Sequence, residues 1–196
     1  VTSASIAPQS VLVLWYNNIQ TSNQWQDECP IDQTSLGLSD GYIYFDTPKT
    51  FVNGNMVIAA FKEKGVTYDN ITIDESGTIN NATILWSWHI WLTAAEMKKI
   101  TYANDAGVMM DRNLGATKTD NTPDAVGLFY QWGRKDPFVG RASYDQTSER
   151  DSSPWFYKPY NGQWQKMTSI QKLGRSAINI IETIKNPTKF ASSGSS

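Results

Sequence analysis

Residues 83–93, TILWSWHIWLT, concentrate more apolar surface than any other stretch of this length in the chain. Read with a period of two, they place five apolar residues on one face of a strand, Ile84, Trp86, Trp88, Ile90 and Leu92. A mixed second face holds Leu85, Ser87, His89 and Trp91. Large aromatic side chains fit a half-buried pleated surface, and each buried indole removes roughly 150 to 250 Å² from water. The stretch therefore predicts a central strand of a sheet, not an edge strand.

His89 is the only histidine in the chain. A single histidine cannot form a His-rich metal site, and no serine or cysteine beside it has the context of a nucleophile motif. We therefore interpret His89 as a hydrogen-bonded structural residue. Trp86 and Trp88 are interpreted as packing residues, with a sugar-stacking platform as the alternative if their face is exposed.

Composition narrows the class of protein. The 196 residues are 40% hydrophobic and 12% aromatic, which is typical of a globular chain long enough for a substantial core. Only 18% are charged and the net charge is −2, so nucleic acid is an unfavoured partner. One cysteine, Cys29, excludes an intramolecular disulfide and a thiolate zinc cluster. No apolar run is long enough to span a bilayer, and the many Trp, Tyr, Asn, Ser and Thr residues favour an extracellular surface.

Several other stretches predict strands. Val11, Val13 and Trp15 alternate with Leu12, Leu14 and Tyr16, which indicates a strand covered on both faces. GYIYFDT (residues 41–47) and NMVIAAF (residues 55–61) predict two further strands, and residues 62–81 predict a hairpin pair around residues 75–77. Residues 41–92 are accordingly expected to form an antiparallel meander.

Three segments predict helices. Thr93 and Glu96 have the spacing of a capping box that would begin a short helix. Thr122 and Pro123 would start a second helix through residues 125–132. A stripe of apolar residues at helical spacing predicts a third helix that begins at residue 168 or 169 and ends at residues 186–187.

Two groups of residues are candidates for function. Asp111, Arg112 and Asn113 lie between apolar neighbours and predict either a structural polar network, which we favour, or the lining of a shallow site. Acidic and amide residues recur over residues 111–124, but their spacing matches no calcium loop, and no metal or cofactor is predicted. The loop-like residues 133–164 are rich in aromatic and basic side chains, and their candidate ligand-binding residues are Trp155, Tyr157, Tyr160, Trp164 and Arg134.

Four blocks in this order, ILWSWHIWLT, MDRNLGAT, GLFYQWGRKDPF and IKNPTKF, resemble the C-terminal region of fimbrillin-like and fimbrial tip surface proteins of Bacteroidales. The resemblance covers roughly residues 50–190. It implies a C-type-lectin-like or formylglycine-generating-enzyme-like scaffold, exported as a lipoprotein and displayed on the outer membrane. It carries no catalytic residue. The matching positions are interpreted mainly as scaffold: Trp86, Trp88, His89, Trp91, Asp111, Arg112, Asn113, Gly115, Gly127, Trp132, Gly133, Arg134, Asp136 and Pro137.

The sequence and the resemblance together predict an α+β fold, mainly antiparallel β with two or three helices. The family has a Cys-Pro-Pro-Gly segment and closing strands after the last helix, whereas ASSGSS stands here, so the lectin-like scaffold is expected to be incomplete at its C-terminus. Residues 1–40 are predicted as an N-terminal strand and connecting loop, residues 41–190 as the α+β domain and residues 191–196 as a flexible tail.

Three functions are compatible with these features. The favoured one is a non-enzymatic domain on a bacterial cell surface that acts in adhesion or pilus assembly, with other fimbrial subunits or a host or bacterial surface protein or glycan as partner. The second is a carbohydrate-binding module that uses residues 155–164, because flat aromatic rings stack on sugars. The third, a hydrolase with a carboxylate pair, is disfavoured because no Asp or Glu spacing singles out an acid and a base.

Overall fold

The computed structural model describes residues 7–17, 29–72, 78–121, 125–131, 133–139, 155–159, 162–166, 172–173 and 180–191. In chain order its elements are β1 (Ser10–Asn17), β2 (Asp32–Ser39), β3 (Tyr42–Asp46), β4 (Gly54–Phe61), β5 (Ile84–Leu92), β6 (Lys99–Thr101), β7 (Val108–Met110), β8 (Leu128–Phe129), β9 (Phe138–Val139), β10 (Trp155–Lys158), β11 (Gln163–Lys166), β12 (Lys172–Leu173), α1 (Ile180–Lys185) and β13 (Phe190–Ala191).

A five-stranded antiparallel sheet in the order β11-β10-β1-β4-β5 forms the centre of the fold. Strand β4 is buried along its whole length, and β1 is buried from its second residue onward. Strands covered on both faces read as nearly continuous apolar runs. The predictions of a covered strand at residues 11–16 and of strands at residues 42–46 and 55–61 are confirmed.

Each face of the sheet is covered by a separate layer. One face packs against β8, β9 and loop residues within 66–71 and 79–82, in a core that includes Leu12, Trp15, Val57 and Phe61. The other face packs against the β2–β3 hairpin, in a core that includes Val13, Tyr16, Met56 and Ile58. Asp40 and Gly41, both with positive φ, form the turn of that hairpin, so the predicted boundary after residue 40 falls inside it.

Two β-bulges change which side chains share a face. In β1, Val13 pairs with Ile58 and Trp15 with Val57, so Leu14 is the extra residue. Leu12, Leu14 and Trp15 consequently share one core, and the predicted alternation is wrong from Trp15 onward. In β5, Leu85 is the extra residue, so Ile84 packs in the core opposite to that of Ile90 and Leu92.

The predicted position of the tryptophan strand in the sheet is wrong. Among the described residues, strand β5 pairs only with β4 and forms one edge of the sheet. The predicted meander is also wrong in part, because β3 pairs with β2 and the neighbours of β4 are β1 and β5. Strand β1, far from β4 in sequence, takes the central place because both of its faces are apolar.

The predicted α+β fold with two or three helices and a lectin-like scaffold is wrong. The described residues form small antiparallel sheets and one parallel strand pair, β12–β13, with α1 as their only α-helix. At residue 93 the capping bond does form, from the Ala95 amide to Thr93 Oγ1 at 3.3 Å. No helix follows, since the chain extends into β6 three residues after Glu96.

The other two predicted helices are also corrected. Gly127 has φ of 77° and Leu128 donates its amide to the carbonyl of Leu114 at 2.8 Å, so residues 128–129 form β8 instead of a helix. In the third segment, residues 172–173 form β12, and the helix is confined to Ile180–Lys185 among the described residues. It ends before Asn186 and Pro187, as the sequence predicts. The predicted turn at residues 75–77 lies outside the described residues.

Candidate functional site

A two-stranded hairpin formed by β6 and β7 carries exposed apolar side chains on both strands. Ile100 pairs with Met109, and Val108 precedes Met109 on the second strand. Val108 is 58% exposed and Met109 is 60% exposed, which is unusual for side chains of this kind in adjacent positions. We call residues 99–110 the apolar hairpin; its other exposed apolar side chains are Ile100, Tyr102 and Met110.

The turn of the apolar hairpin has a defined geometry. Asn104 and Asp105 both have positive φ, of 59° and 57°, which is the backbone of a type I′ turn. Asparagine and aspartate tolerate this region better than other residues with a side chain. The Ala106 amide donates to the carbonyl of Ala103 at 3.4 Å and closes the turn, and the Tyr102 amide donates to the carbonyl of Gly107 at 3.0 Å. The hairpin is therefore held by its own backbone, although its side chains contact solvent.

An ion pair fixes the base of the apolar hairpin. The Asp111 amide donates to the carbonyl of Lys98 at 3.0 Å, which extends the β6–β7 ladder by one bond. Arg112 donates through Nε to Asp111 Oδ1 at 2.7 Å and through Nη2 to the carbonyl of Glu96 at 2.8 Å. The bonds from Arg112 lower the pKa of the Asp111 carboxyl, and the carboxylate in turn raises the pKa of Arg112.

A chain of polar contacts links this base to the central sheet. Asn113 Nδ2 donates to the carbonyls of Ala125 and Val126, both at 3.2 Å. Two residues on, the carbonyl of Gly115 accepts from Asn55 Nδ2 at 2.9 Å. Asp111, Arg112 and Asn113 thus all bond to the protein itself.

His89 completes the chain of contacts. Its Nε2 lies 3.0 Å from Asn55 Oδ1, and because Asn55 uses its amide nitrogen for Gly115, the histidine nitrogen is the donor. Burial lowers the pKa of His89 to about 4. The imidazole is therefore neutral at pH 7 and positions Asn55.

A second polar group lies at the edge of β5 that pairs with no other strand in the described part of the chain. Ser87 and Asp136 are each 2% exposed, and the Ser87 hydroxyl donates to the Asp136 carboxylate at 3.0 Å. The Lys135 ammonium donates to the Ser87 carbonyl at 2.8 Å, to the Ser87 hydroxyl and to both Asp136 oxygens. Burial lowers the pKa of Lys135, while the hydrogen bond and charge of Asp136 oppose that shift.

This arrangement holds the edge of the sheet. The ammonium occupies a carbonyl that an added strand would need and lies 4.7 Å from the centre of the Trp86 ring. A hydroxyl that is 2% exposed offers no access to a substrate. Ser87, Lys135 and Asp136 therefore act as a local clamp.

Arg134, a predicted ligand-binding residue, bonds to the end of α1. Its guanidinium donates to the carbonyls of Asn186 and Lys189 and, at 2.9 Å, to that of Pro187. It also lies 4.9 Å from the centre of the Phe138 ring. These bonds complement the carbonyl-rich C-terminus of a helix.

Burial and the nearby charge of Lys189 lower the pKa of Lys158 to about 8.

The predicted aromatic loop contains a hairpin. Strands β10 and β11 pair so that Tyr157 lies opposite Trp164 and Trp155 opposite Lys166, and Tyr157 is also the register partner of Tyr16 in β1. The backbone thus brings three of the candidate ligand-binding positions into one hairpin at the edge of the sheet. Tyr160 and Trp132 lie outside the described residues.

The tryptophan strand leaves part of its aromatic surface in contact with solvent. Trp88 is 38% exposed, whereas Trp86 and Trp91 are partly buried.

The apolar hairpin was not predicted from the sequence. A sequence signal was present, because Asn104 and Asp105 are turn-forming residues between two short runs of β-forming residues. The capping box at Thr93 and Glu96 favoured a helix just before this segment instead.

Comparisons with protein-family models, with curated proteins and with solved structures each gave no match. In the part of the chain that the structure describes, no three His, Cys, Asp or Glu side chains come together as metal ligands would. Within the same ranges, no helix has the length and apolar character that crossing a bilayer requires.

Proposed function

We propose that the chain is a non-enzymatic domain of a bacterial cell-surface protein that acts in adhesion or pilus assembly, and that the apolar hairpin is its contact surface. The exposure of Val108 and Met109 on a hairpin with a fixed backbone carries the proposal. Contiguous apolar surface on a soluble domain marks sites of interaction, and methionine adapts well to a partner.

The ordered sequence blocks that resemble fimbrillin-like proteins support the cellular context of this proposal. The construction of the hairpin supports its use as a docking element. The I′ turn and the bonds from Arg112 to Asp111 and Glu96 hold the backbone in place before binding, so little conformational entropy is lost when a partner docks.

A site-specific photocrosslinker at position 109, with the protein displayed on its native cells, tests the proposal. We expect one discrete crosslinked species, because a specific interface places the same partner atoms beside the same residue. The substitution Met109→Lys should reduce crosslinking from position 108 by about tenfold, the effect of losing one central interface contact.

The matched control is position 181. Ile181 is also exposed and apolar, at 63%, but lies on α1. A crosslinker placed there should give no discrete species, and Ile181→Lys should leave the yield from position 108 unchanged. Equal yields from positions 109 and 181, or none from either, would contradict the proposed interface.

The second candidate function is carbohydrate binding through residues 155–164. The register favours it, since Tyr157 and Trp164 are direct cross-strand partners and Trp155 precedes Tyr157 by two residues on β10. Such a pairing brings aromatic residues to neighbouring positions of one hairpin. Glycan-array binding that disappears in Trp164→Ala, with an unchanged melting temperature, would favour this function over the first.

A further inference from the structure

A second exposed surface lies on the outer side of the β2–β3 hairpin. The inner side of this hairpin packs on the central sheet through Leu36, Leu38, Ile43 and Phe45. The outer side presents two tyrosines from alternate positions of β3. Tyr42 is 76% exposed and Tyr44 is 53% exposed, so most of the surface of these rings contacts solvent.

Gly37 determines where the ring of Tyr44 lies. The two residues are direct cross-strand partners. A Cβ atom at position 37 would lie 2.3 Å from the Tyr44 hydroxyl oxygen and 2.5 Å from Cζ, so the ring extends across the glycine backbone. An aromatic ring over a strand glycine is a recurrent packing arrangement. It fixes one side of the ring on the strand and leaves the other side open.

Polar side chains lie at both ends of the hairpin that carries the two rings. Ser39 is the cross-strand partner of Tyr42 and donates its hydroxyl to Asp40 at 3.0 Å. At the other end of the hairpin, Ser35 accepts from the Asp46 amide at 2.7 Å. Asp32 holds its own turn by accepting from Thr34. The surface therefore combines two flat apolar rings with hydroxyl and carboxylate oxygens in fixed positions.

We propose that this tyrosine face, defined by Tyr42, Tyr44 and Gly37, binds a neutral glycan. Aromatic rings stack on the C–H faces of pyranose units, and residues i and i+2 of a strand are about 6.6 Å apart, a separation comparable with adjacent units of a sugar chain. The serine and aspartate oxygens accept hydrogen bonds from sugar hydroxyls.

Charge selects among glycans. Three carboxylates, Asp32, Asp40 and Asp46, stand at the two ends of the tyrosine face. They repel uronic and sialic acids, so the ligand is a neutral chain. A protein partner fits this face less well than it fits the apolar hairpin, whose exposed apolar strand residues are valine, isoleucine and methionine. The glycan site is separate from the interface proposed above.

The test uses the complete chain and an array of neutral oligosaccharides, with uronic and sialic acid oligosaccharides beside them. We expect binding to members of the neutral set only. Isothermal titration of the best neutral oligosaccharide should show about a tenfold weaker affinity for Tyr42→Ala, because one aromatic contact is lost.

Gly37→Ala is the second variant, and it keeps both tyrosines. The added Cβ displaces the free end of the Tyr44 side chain, which is cheap in stability but moves the ring. We expect weaker binding with a melting temperature close to that of the original chain. Tyr130→Ala removes an exposed tyrosine that lies outside both proposed surfaces; it is the control and should bind unchanged.

Three results would overturn the glycan site. They are no binding to any neutral oligosaccharide, equal binding by the Tyr42 and Gly37 variants and the original chain, or a crosslink from position 42 to a protein in place of glycan binding. Because none of these variants changes Met109, the outcome is independent of the crosslinking experiment on the apolar hairpin.

Discussion

His89 makes the stability of the protein depend on pH. Its pKa falls from 6.5 to about 4 on folding, so the unfolded chain binds the proton more tightly. The contribution of neutral His89 is fully present above pH 6.5 and is lost as the pH falls toward 4. The full shift corresponds to about 3 kcal/mol. We expect the free energy of unfolding in urea to decline over this range.

The matched variant is His89→Gln, which keeps an amide donor for Asn55 and does not titrate. Carboxylates also titrate near pH 4, so the informative quantity is the difference between the two proteins. That difference should shrink steadily from pH 6.5 to 4.5. Parallel pH profiles would show that His89 does not carry the effect.

Alanine substitutions at Gly115 and Gly107 distinguish the cost of backbone strain from the cost of a steric clash. Both have positive φ, 83° and 100°, so alanine is strained at either position. At Gly115 a Cβ would also lie 2.4 Å from Leu128 Cγ and 3.1 Å from Asn55 Oδ1, whereas nothing lies within 4 Å at Gly107.

We therefore expect Gly107→Ala to cost about 1 kcal/mol and Gly115→Ala about 3 kcal/mol of unfolding free energy. Urea denaturation of both variants measures the two costs. A loss at Gly115 no larger than at Gly107 would mean that the contact with Leu128 relaxes freely.

At the scale of elements, the lysine clamp on β5 provides the next prediction. Lys135→Met leaves the buried Asp136 carboxylate with the Ser87 hydroxyl but without its cation. Allowing for the partial exposure of Lys135, we expect a loss of about 2 kcal/mol. Lys185→Met breaks the exposed pair with Glu182 and should change stability by less than about 0.5 kcal/mol.

The clamp also makes a prediction about association. Without the ammonium, the Ser87 carbonyl is open to another chain, so light scattering of Lys135→Met should rise with concentration. The double substitution Lys135→Met with Asp136→Leu removes the unpaired charge and should recover part of the stability. Equal stability of the Lys135 and Lys185 variants would exclude the clamp.

Sequence patterns identified the long strands but not their order. The apolar alternation of residues 11–13 and the fully apolar residues 56–61 marked β1 and β4 because burial on both faces leaves a strong signal. The bulges at Leu14 and Leu85 leave no signal in the sequence, since each depends on how its strand pairs with β4. At Gly127, contact with Leu114 overrides a plausible helix start.

The candidate sites divide in the same way. The isolated histidine and the Asp111 to Asn113 group were noticeable in sequence because polar residues among apolar ones need partners. The partners themselves, Asn55 and Glu96, come from distant segments and had no sequence signal. Exposure of the apolar hairpin and of Tyr42 depends on tertiary structure, so the sequence could predict neither surface.

At the scale of the whole molecule, the reactivity of Cys29 measures how stably the β2–β3 hairpin packs on the central sheet. It is buried in the core between the central sheet and the β2–β3 hairpin, and burial raises the pKa of its thiol to about 11. Because the thiolate is the reactive form, we expect a thiol reagent at pH 8 to label the native protein far more slowly than the unfolded chain.

The dependence of labelling on denaturant distinguishes two kinds of opening. A rate that rises steeply with guanidinium indicates global unfolding, whereas a nearly flat rate indicates that the β2–β3 layer detaches by itself. We expect the steep dependence, since Cys29 belongs to a core cluster that includes residues of β1 and β4. Labelling as fast as in the unfolded chain would contradict burial of Cys29.

The pairing of Tyr16 with Tyr157 sets the order in which the sheet can be completed. Strands β1, β4 and β5 lie within the first half of the chain, but β10 and β11 come from the second half. Contacts between residues so far apart form slowly because a long loop must close. During synthesis, the side of β1 that pairs with β10 stays unpaired until residues 155–166 have emerged from the ribosome. A chaperone that covers this side would act in that interval.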